Sequence, residues 1–117
     1  NTYVEYFIPE PFINTVVLVH GGGLCGNSWN KTPDGRDGFV QYLLQRHFAV
    51  YVVDVVERGR AGWCSMPQIW PETAESRTAE TCRSAFRIGT AEGFLEKKAY
   101  PGQQFPINAF DQFVCYN

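Results

Sequence analysis

Three features of this 117-residue chain predict an α/β fold, a mostly parallel sheet with flanking helices. Two short apolar runs, Val16–Val19 and Ala49–Val56, have the unbroken β-branched character of strands buried on both faces of a parallel sheet. An amphipathic stretch between them, Phe39–Phe48, supplies the helix of a strand–loop–helix–strand crossover. Three consecutive glycines, Gly21 to Gly23, stand at the carboxyl end of the first run, the edge beyond which open α/β sheets bind their ligands.

Taken in order, Tyr3–Ile8 has the β-formers of an edge strand, stopped by Pro9 and Pro11. Thr15–His20 is the first buried strand, and Gly21–Gly38 a long loop rich in turn signals, with Asp37 placed to cap the following helix. Over Phe39–Phe48, about three turns, Phe39, Val40, Leu43, Leu44 and Phe48 share one broad face. Ala49–Val56 is the second buried strand, and R-G-R-A-G-W-C beyond it is a second glycine-bearing loop at the same edge. The composition shifts at Pro71. Glu72–Ile88 reads as a helix with Ala79, Cys82, Ala85, Phe86 and Ile88 on its apolar face and Gly89 as its stop. Gly93–Gln104 reads as loop. Pro106–Tyr116 reads as a last helix burying Ile107, Phe110, Phe113 and Val114. Two parallel strands with one crossover cannot cover their own faces, so the chain is expected to be part of a larger sheet.

Composition narrows the function. The chain is 44% hydrophobic and 15% aromatic, which suits a folded domain rather than a disordered segment. A net charge of −2 without a basic block argues against nucleic acid as a partner, and no apolar run is long enough to span a membrane. The first residue is Asn, not Met, which predicts that an amino-terminal segment has been removed or left out. Cys25, Cys64, Cys82 and Cys115 lack the spacing of a metal site, and the reading invokes no metal and no cofactor. In a secreted chain they make two disulfides, with three possible pairings; in a cytosolic one they are buried thiols. The first is the expectation, and with it an extracellular location. Asn30-Lys31-Thr32 is a formal glycosylation sequon, weakened by Pro33.

The glycine loop admits three readings. As G-x-G-x-x-G over Gly21, Gly23 and Gly26, with Asp54 ending the next strand, it suggests a dinucleotide-binding unit. Against this, no helix follows the glycines directly, and the acidic residue comes later than the usual spacing of about 20 residues. As H-G-G-G after an early strand, it suggests the oxyanion loop of an α/β-hydrolase, with Gly22 as first donor, Gly23 as second, and His20 orienting the loop. A turn without a ligand is the third reading. Three adjacent glycines cost about 0.5–1 kcal/mol each in backbone entropy against alanine, more than a plain turn requires.

His20–Trp29 (H-G-G-G-L-C-G-N-S-W) followed by T-P-D-G-R-D-G at Thr32–Gly38 resembles one branch of the α/β-hydrolases. That branch is typified by a bacterial esterase with two adjacent, disulfide-linked cysteines at its oxyanion hole. The similarity continues through Tyr42–Asp54 and Arg58–Arg60, with a weaker echo at Ala85–Gly89 and around Gln104-Phe105-Pro106. Gly22 and Gly23 stand where the type member has its paired cysteines, Glu57 replaces a family glycine, and Ala61 a serine. The resemblance implies the amino-terminal portion of an α/β-hydrolase fold: residues 1–70 as core, and 71–117 as a helical lid or cap segment leading toward a nucleophile elbow that this chain lacks.

No G-x-S-x-G occurs, and Ser65, Ser76 and Ser84 have no glycine context. The two histidines are His20 and His47; His47, at a helix end, suits a macrodipole contact. No catalytic residue is therefore expected in this chain. The resemblance places the elbow just beyond it, which implies a serine esterase or lipase-like enzyme divided by proteolysis, with the Ser-acid-His triad on a companion polypeptide and a small apolar ester as substrate. On this reading Trp29 and Trp63 line the substrate pocket, and Asp54 with Arg58–Arg60 braces loops, although an exposed salt bridge is the simpler expectation for them. Cys25 and Cys64 both fall in loops at the carboxyl edge, which favours Cys25–Cys64 with Cys82–Cys115. The rival class is a non-catalytic binding module derived from a hydrolase.

Overall fold

A computed structural model describes residues 1–64, 66, 68–69 and 77–115. The expected helix start at Glu72, the boundary after residue 70, Ser65, Ser76 and the helix end at Tyr116 lie outside the described residues. Three strands, β1 (Tyr3–Phe7), β2 (Asn14–Val19) and β3 (Phe48–Asp54), form one sheet in the order β1-β3-β2. β2 runs parallel to β3, Val16 opposite Val50 and Leu18 opposite Val52, while β1 runs antiparallel on the other side of β3, Tyr6 opposite Tyr51. The sheet is thus mixed, with the apolar β3 at its centre.

Helix α1 (Phe39–Leu44) is the crossover between β2 and β3. Val40 buries itself against Val50 and Val52, and Phe7, Leu18, Leu43, Leu44 and Phe48 pack around that cluster. α1 is shorter than the apolar pattern suggests. His47 takes φ 59, which turns the chain out of the helix and lets Phe48 begin β3. The His47 ring reaches the Pro11 carbonyl (3.2 Å) rather than a helix carbonyl, and its own carbonyl accepts from Ile13 N–H (2.8 Å). Asp37 does not cap α1. Its backbone is taken up in a bridge to Lys31, and the N-cap is Gly38, whose N–H donates to Gln41 Oε1 (3.3 Å).

The other face of the sheet is open. Register aligns Tyr6, Tyr51 and Val17 in one row and Val4, Val53 and Val19 in the next. Among these Tyr6 is 63%, Val17 59% and Val19 51% exposed. This corrects the expectation that β2 is buried on both faces: among the described residues nothing layers over that face, and no strand pairs with the outer edge of β2. The whole chain measures 50 × 46 × 16 Å, with a radius of gyration of 16.7 Å against about 13 Å for a compact chain of this length. It exposes 8089 Å², where scaling for 13.3 kDa gives about 6,450 Å².

Helices α2 (Ala79–Ala85) and α3 (Phe110–Val114) follow, the latter preceded by a 3-10 turn at Ile107–Ala109. Thr78 caps α2, its hydroxyl accepting from Thr81 N–H (3.2 Å). The stop is not Gly89. Arg87 takes φ 58, Ile88 N–H reaches the Arg83 carbonyl (3.0 Å) and Arg87 N–H that of Ser84 (2.9 Å), the two bonds of a Schellman motif. Phe86, Phe105, Phe110 and Phe113 join edge-on at 5.2–6.2 Å.

Candidate functional site

The loop after β2 is held at both ends and left free in its middle. At its start, His20 Nδ1 meets the Gly21 carbonyl (2.9 Å), and His20 Nε2 accepts from Val55 N–H (3.3 Å) just beyond β3. One neutral tautomer satisfies both contacts, with the proton on Nδ1. His20 therefore ties the glycine loop to the neighbouring strand end.

At its far end the anchor is Asp54, the last residue of β3 and 0% exposed. Its Oδ1 accepts the Gly26 N–H, and its Oδ2 accepts Arg60 N–H (3.0 Å) and Arg60 Nε (2.9 Å). Arg60 in turn reaches Glu5 of β1 through Nη1 (2.8 Å), and its guanidinium lies 4.3 Å above the Tyr3 ring. The carboxylate thus joins the glycine loop, the sheet and the second edge loop. Its burial overturns the simpler expectation of an exposed salt bridge. Burial alone would push the Asp54 carboxyl up. The Arg60 side-chain hydrogen bond, the Arg60 and Gly26 backbone N–H groups and the Arg60 charge outweigh it, and hold the carboxyl below its ordinary 3.8. The same contacts, with Glu5, outweigh burial at Arg60 and raise its affinity for the proton. Gly26 must be glycine: a Cβ there would stand 2.7 Å from both Asp54 Oδ1 and Val52 Cγ1.

Between these anchors lie Gly22 and Gly23. The turn closes through Leu24 N–H to the Gly21 carbonyl (3.2 Å), and Gly23 takes φ 74, a conformation that favours glycine. Among the described residues, neither the Gly22 nor the Gly23 N–H has an acceptor within the chain. A Cβ on Gly22 would meet nothing within 4 Å, so the space beside it is open. Phe86, the C-cap residue of α2, approaches from one flank, lying 3.7 Å from where a Gly23 Cβ would be.

Beside the loop runs a cleft of about 270 Å³, whose lining includes Gly21, Leu24, Trp29, Lys31, Phe105 and Phe113. Trp29 is therefore brought to the loop, packed edge-on against Phe39 at 5.6 Å. Trp63 is not; it is 43% exposed and does not line the cleft. The T-P-D-G-R segment forms a self-contained turn in which Thr32 Oγ1 donates to Asp34 Oδ1 (2.5 Å) and accepts from Arg36 N–H (2.9 Å). Asn30 is half-buried with its side-chain nitrogen donating to Asn27 Oδ1 (3.2 Å), so the sequon's acceptor atom is engaged.

All four cysteines are free thiols, and neither Cys25–Cys64 nor Cys82–Cys115 is formed in this structure. Cys82 is buried, while Cys115 is exposed and turns back on α3, its Sγ 3.4 Å from the Asp111 carbonyl. Among the described residues no cluster of His, Cys, Asp and Glu could hold a metal, and no helix is long and apolar enough to cross a membrane. The dinucleotide reading does not survive the geometry. A 3-10 turn at Gly26–Trp29, not an α-helix, follows the glycines. The Gly26 N–H is consumed by Asp54, and that carboxylate is sealed from any ribose.

No protein-family model matches the chain. Over 65 residues it is 35% identical to the probable secreted lipase phiG of Fungal sp. (strain ATCC 74256), a match covering 52% of this chain and 17% of that protein. A bacterial esterase of known structure superposes with a TM-score of 0.69 at 26% identity, covering 98% of this chain and 38% of the esterase. The chain thus spans well under half the length of either relative. Its mixed sheet with flanking helices is part of an α/β-hydrolase fold, and the proteins it resembles are an esterase and a lipase.

Proposed function

We propose that this chain is the oxyanion-binding, amino-terminal part of a secreted serine esterase of two polypeptides. The Gly22 and Gly23 amides receive the negative oxygen of the tetrahedral intermediate formed from a carboxylic ester. Residues 1–70 serve as part of the catalytic core and the helical segment 71–117 as a lid. The observation that carries the reading is the pair of amides without internal acceptors, on a loop fixed at His20 and Asp54. Donors held in place before the reaction need no reorganisation as charge develops, and removing one costs about 10²–10³ in turnover in such sites. The apolar cleft at Trp29, Phe105 and Phe113 suits an apolar acyl or alcohol chain.

The nucleophile, the acid and the histidine come from the companion. The open apolar face of β2 and β3 supports this, because parallel strands require cover on both faces. An excess exposed area of about 1,600 Å² is ample for a stable interface. A denaturing gel with intact mass measurement tests the division. A second, larger polypeptide bearing G-x-S-x-G, with hydrolysis of short p-nitrophenyl esters, is the expected result. A single species near 13.3 kDa without that activity would make the chain a non-catalytic binding module instead.

A further inference from the structure

Both ends of the glycine loop are fastened to one short segment, Asp54–Arg60. His20 Nε2 accepts the Val55 N–H (3.3 Å), and the Asp54 carboxylate accepts the Gly26 N–H. Glycines of the two edge loops close on that carboxylate from either side. A Cβ on Gly26 would stand 2.7 Å from Oδ1, and one on Gly59 would stand 2.8 Å from Oδ2. Gly59 takes φ 48, and its Cβ would also stand 2.7 Å from the Cys25 Cβ. Glycine at both positions lets two backbones meet around one side chain. The glycine loop therefore takes its position from the segment after β3 as much as from β2.

That segment is held in turn from β1. Arg60 donates to Asp54 Oδ2 through its backbone N–H (3.0 Å) and Nε (2.9 Å), and to Glu5 Oε2 through Nη1 (2.8 Å). Register sets Tyr3 opposite Asp54 and Glu5 opposite Val52, so Tyr3, Glu5 and Asp54 share one face of the sheet, with the guanidinium 4.3 Å above the Tyr3 ring. Two carboxylates thus share one planar cation, and held through two of its nitrogens that plane is fixed in orientation. Glu5 itself is remote from the loop: its strand is separated by β3 from the strand that carries the glycines. We infer that Glu5 is a positioning residue for the Gly22 and Gly23 amides. Through Arg60 it fixes the Asp54 carboxylate, and through Asp54 and Gly26 it fixes the loop. The effect on turnover rests on the function proposed above; the effect on loop position stands without it.

The test is Glu5→Ala in the purified protein with its glycine amides labelled with ¹⁵N. The Gly26 resonance should move, and those of Gly22 and Gly23 with it, although no hydrogen bond joins Glu5 to any of the three. Glu5→Gln keeps an acceptor for Arg60 Nη1 and should return the resonances toward their native positions. Glu5 is partly exposed on an edge strand, so both variants should fold. In an Asp54→Asn background, where the link is already cut, Glu5→Ala should displace Gly22 and Gly23 no further. With an ester as substrate, kcat should fall about two- to fivefold and KM should stay constant, because the amides act on charge that develops only in the transition state. Native Gly22 and Gly23 resonances in Glu5→Ala would overturn the inference, as would an equal displacement in the Asp54→Asn background. Displaced resonances with unchanged kcat would sustain the coupling and refute the proposed oxyanion role instead.

Discussion

Replacing Asp54 by Asn tests the anchor on which the glycine loop depends. The substitution keeps the side chain's size but removes the charge and presents an NH₂ group to donors. Asp54 now accepts from Gly26 N–H, Arg60 N–H and Arg60 Nε. At least one of the three must be lost, and among the described residues Arg60 then keeps only the partly exposed Glu5 as a carboxylate partner. Breaking a buried pair from one side costs about 3–5 kcal/mol, and Asp54 is sealed while Arg60 is partly exposed, so the lower end, about 3 kcal/mol, is the expectation. Urea unfolding at neutral pH measures it. The pH dependence supplies a second, independent reading. The fold depresses the Asp54 pKa, so its contribution is complete above the ordinary 3.8 and is lost as pH falls through the lower folded value. The stability difference between the native protein and Asp54→Asn should therefore be constant above about pH 5 and shrink steadily in acid. A loss below about 1 kcal/mol, or a difference that does not shrink in acid, would refute the anchor.

Three further outcomes follow from the same geometry. His20→Phe removes the acceptor for Val55 N–H and the donor to the Gly21 carbonyl, and should cost about 1–3 kcal/mol. On the proposed function, in which His20 only positions the loop, ester turnover of the assembled protein should fall without a change in the shape of its pH profile. Arg87→Gly should raise stability by about 1 kcal/mol in thermal or urea unfolding, since an exposed arginine now occupies φ 58 at the end of α2. Glu57→Gly should do the same: Glu57 sits at φ 66, where the resembled family carries glycine.

Much of the sheet was legible because its strands announce themselves. V-V-L-V and A-V-Y-V-V-D became β2 and β3 with boundaries shifted by one or two residues. The crossover helix was legible in kind but not in length. Its apolar pattern runs on through Phe48, and only the left-handed turn at His47 shows that Phe48 belongs to the strand. The glycine loop was legible as the segment beyond β2, because glycines after an apolar run mark the end of a strand; the structure adds that His20 contacts Gly21 and Val55 there. That part of the sheet would lack cover was legible from the element count, two parallel strands with one crossover being too few; which residues stay bare, Val17 and Val19 among them, was not, since an apolar run records what a strand is built to touch and not what a given chain supplies. Asp54 carried one signal, an acid ending an apolar strand with arginines close behind, but nothing in that pattern separates a sealed anchor from a surface pair. Arg83 carried none: in A-E-T-C-R-S-A it reads as an exposed helix residue, and its burial comes from the loop at Gly89 and Lys98 folding over it.

The most direct test is the structure of the purified protein after inactivation with an alkyl phosphonate, which leaves on the nucleophile a tetrahedral group like the reaction intermediate. The expected result is a phosphonyl oxygen about 2.7–3.1 Å from the Gly22 or Gly23 nitrogen, on a serine borne by a separate polypeptide. A phosphonyl oxygen held by other donors, or a modified serine within residues 1–117, would contradict the account.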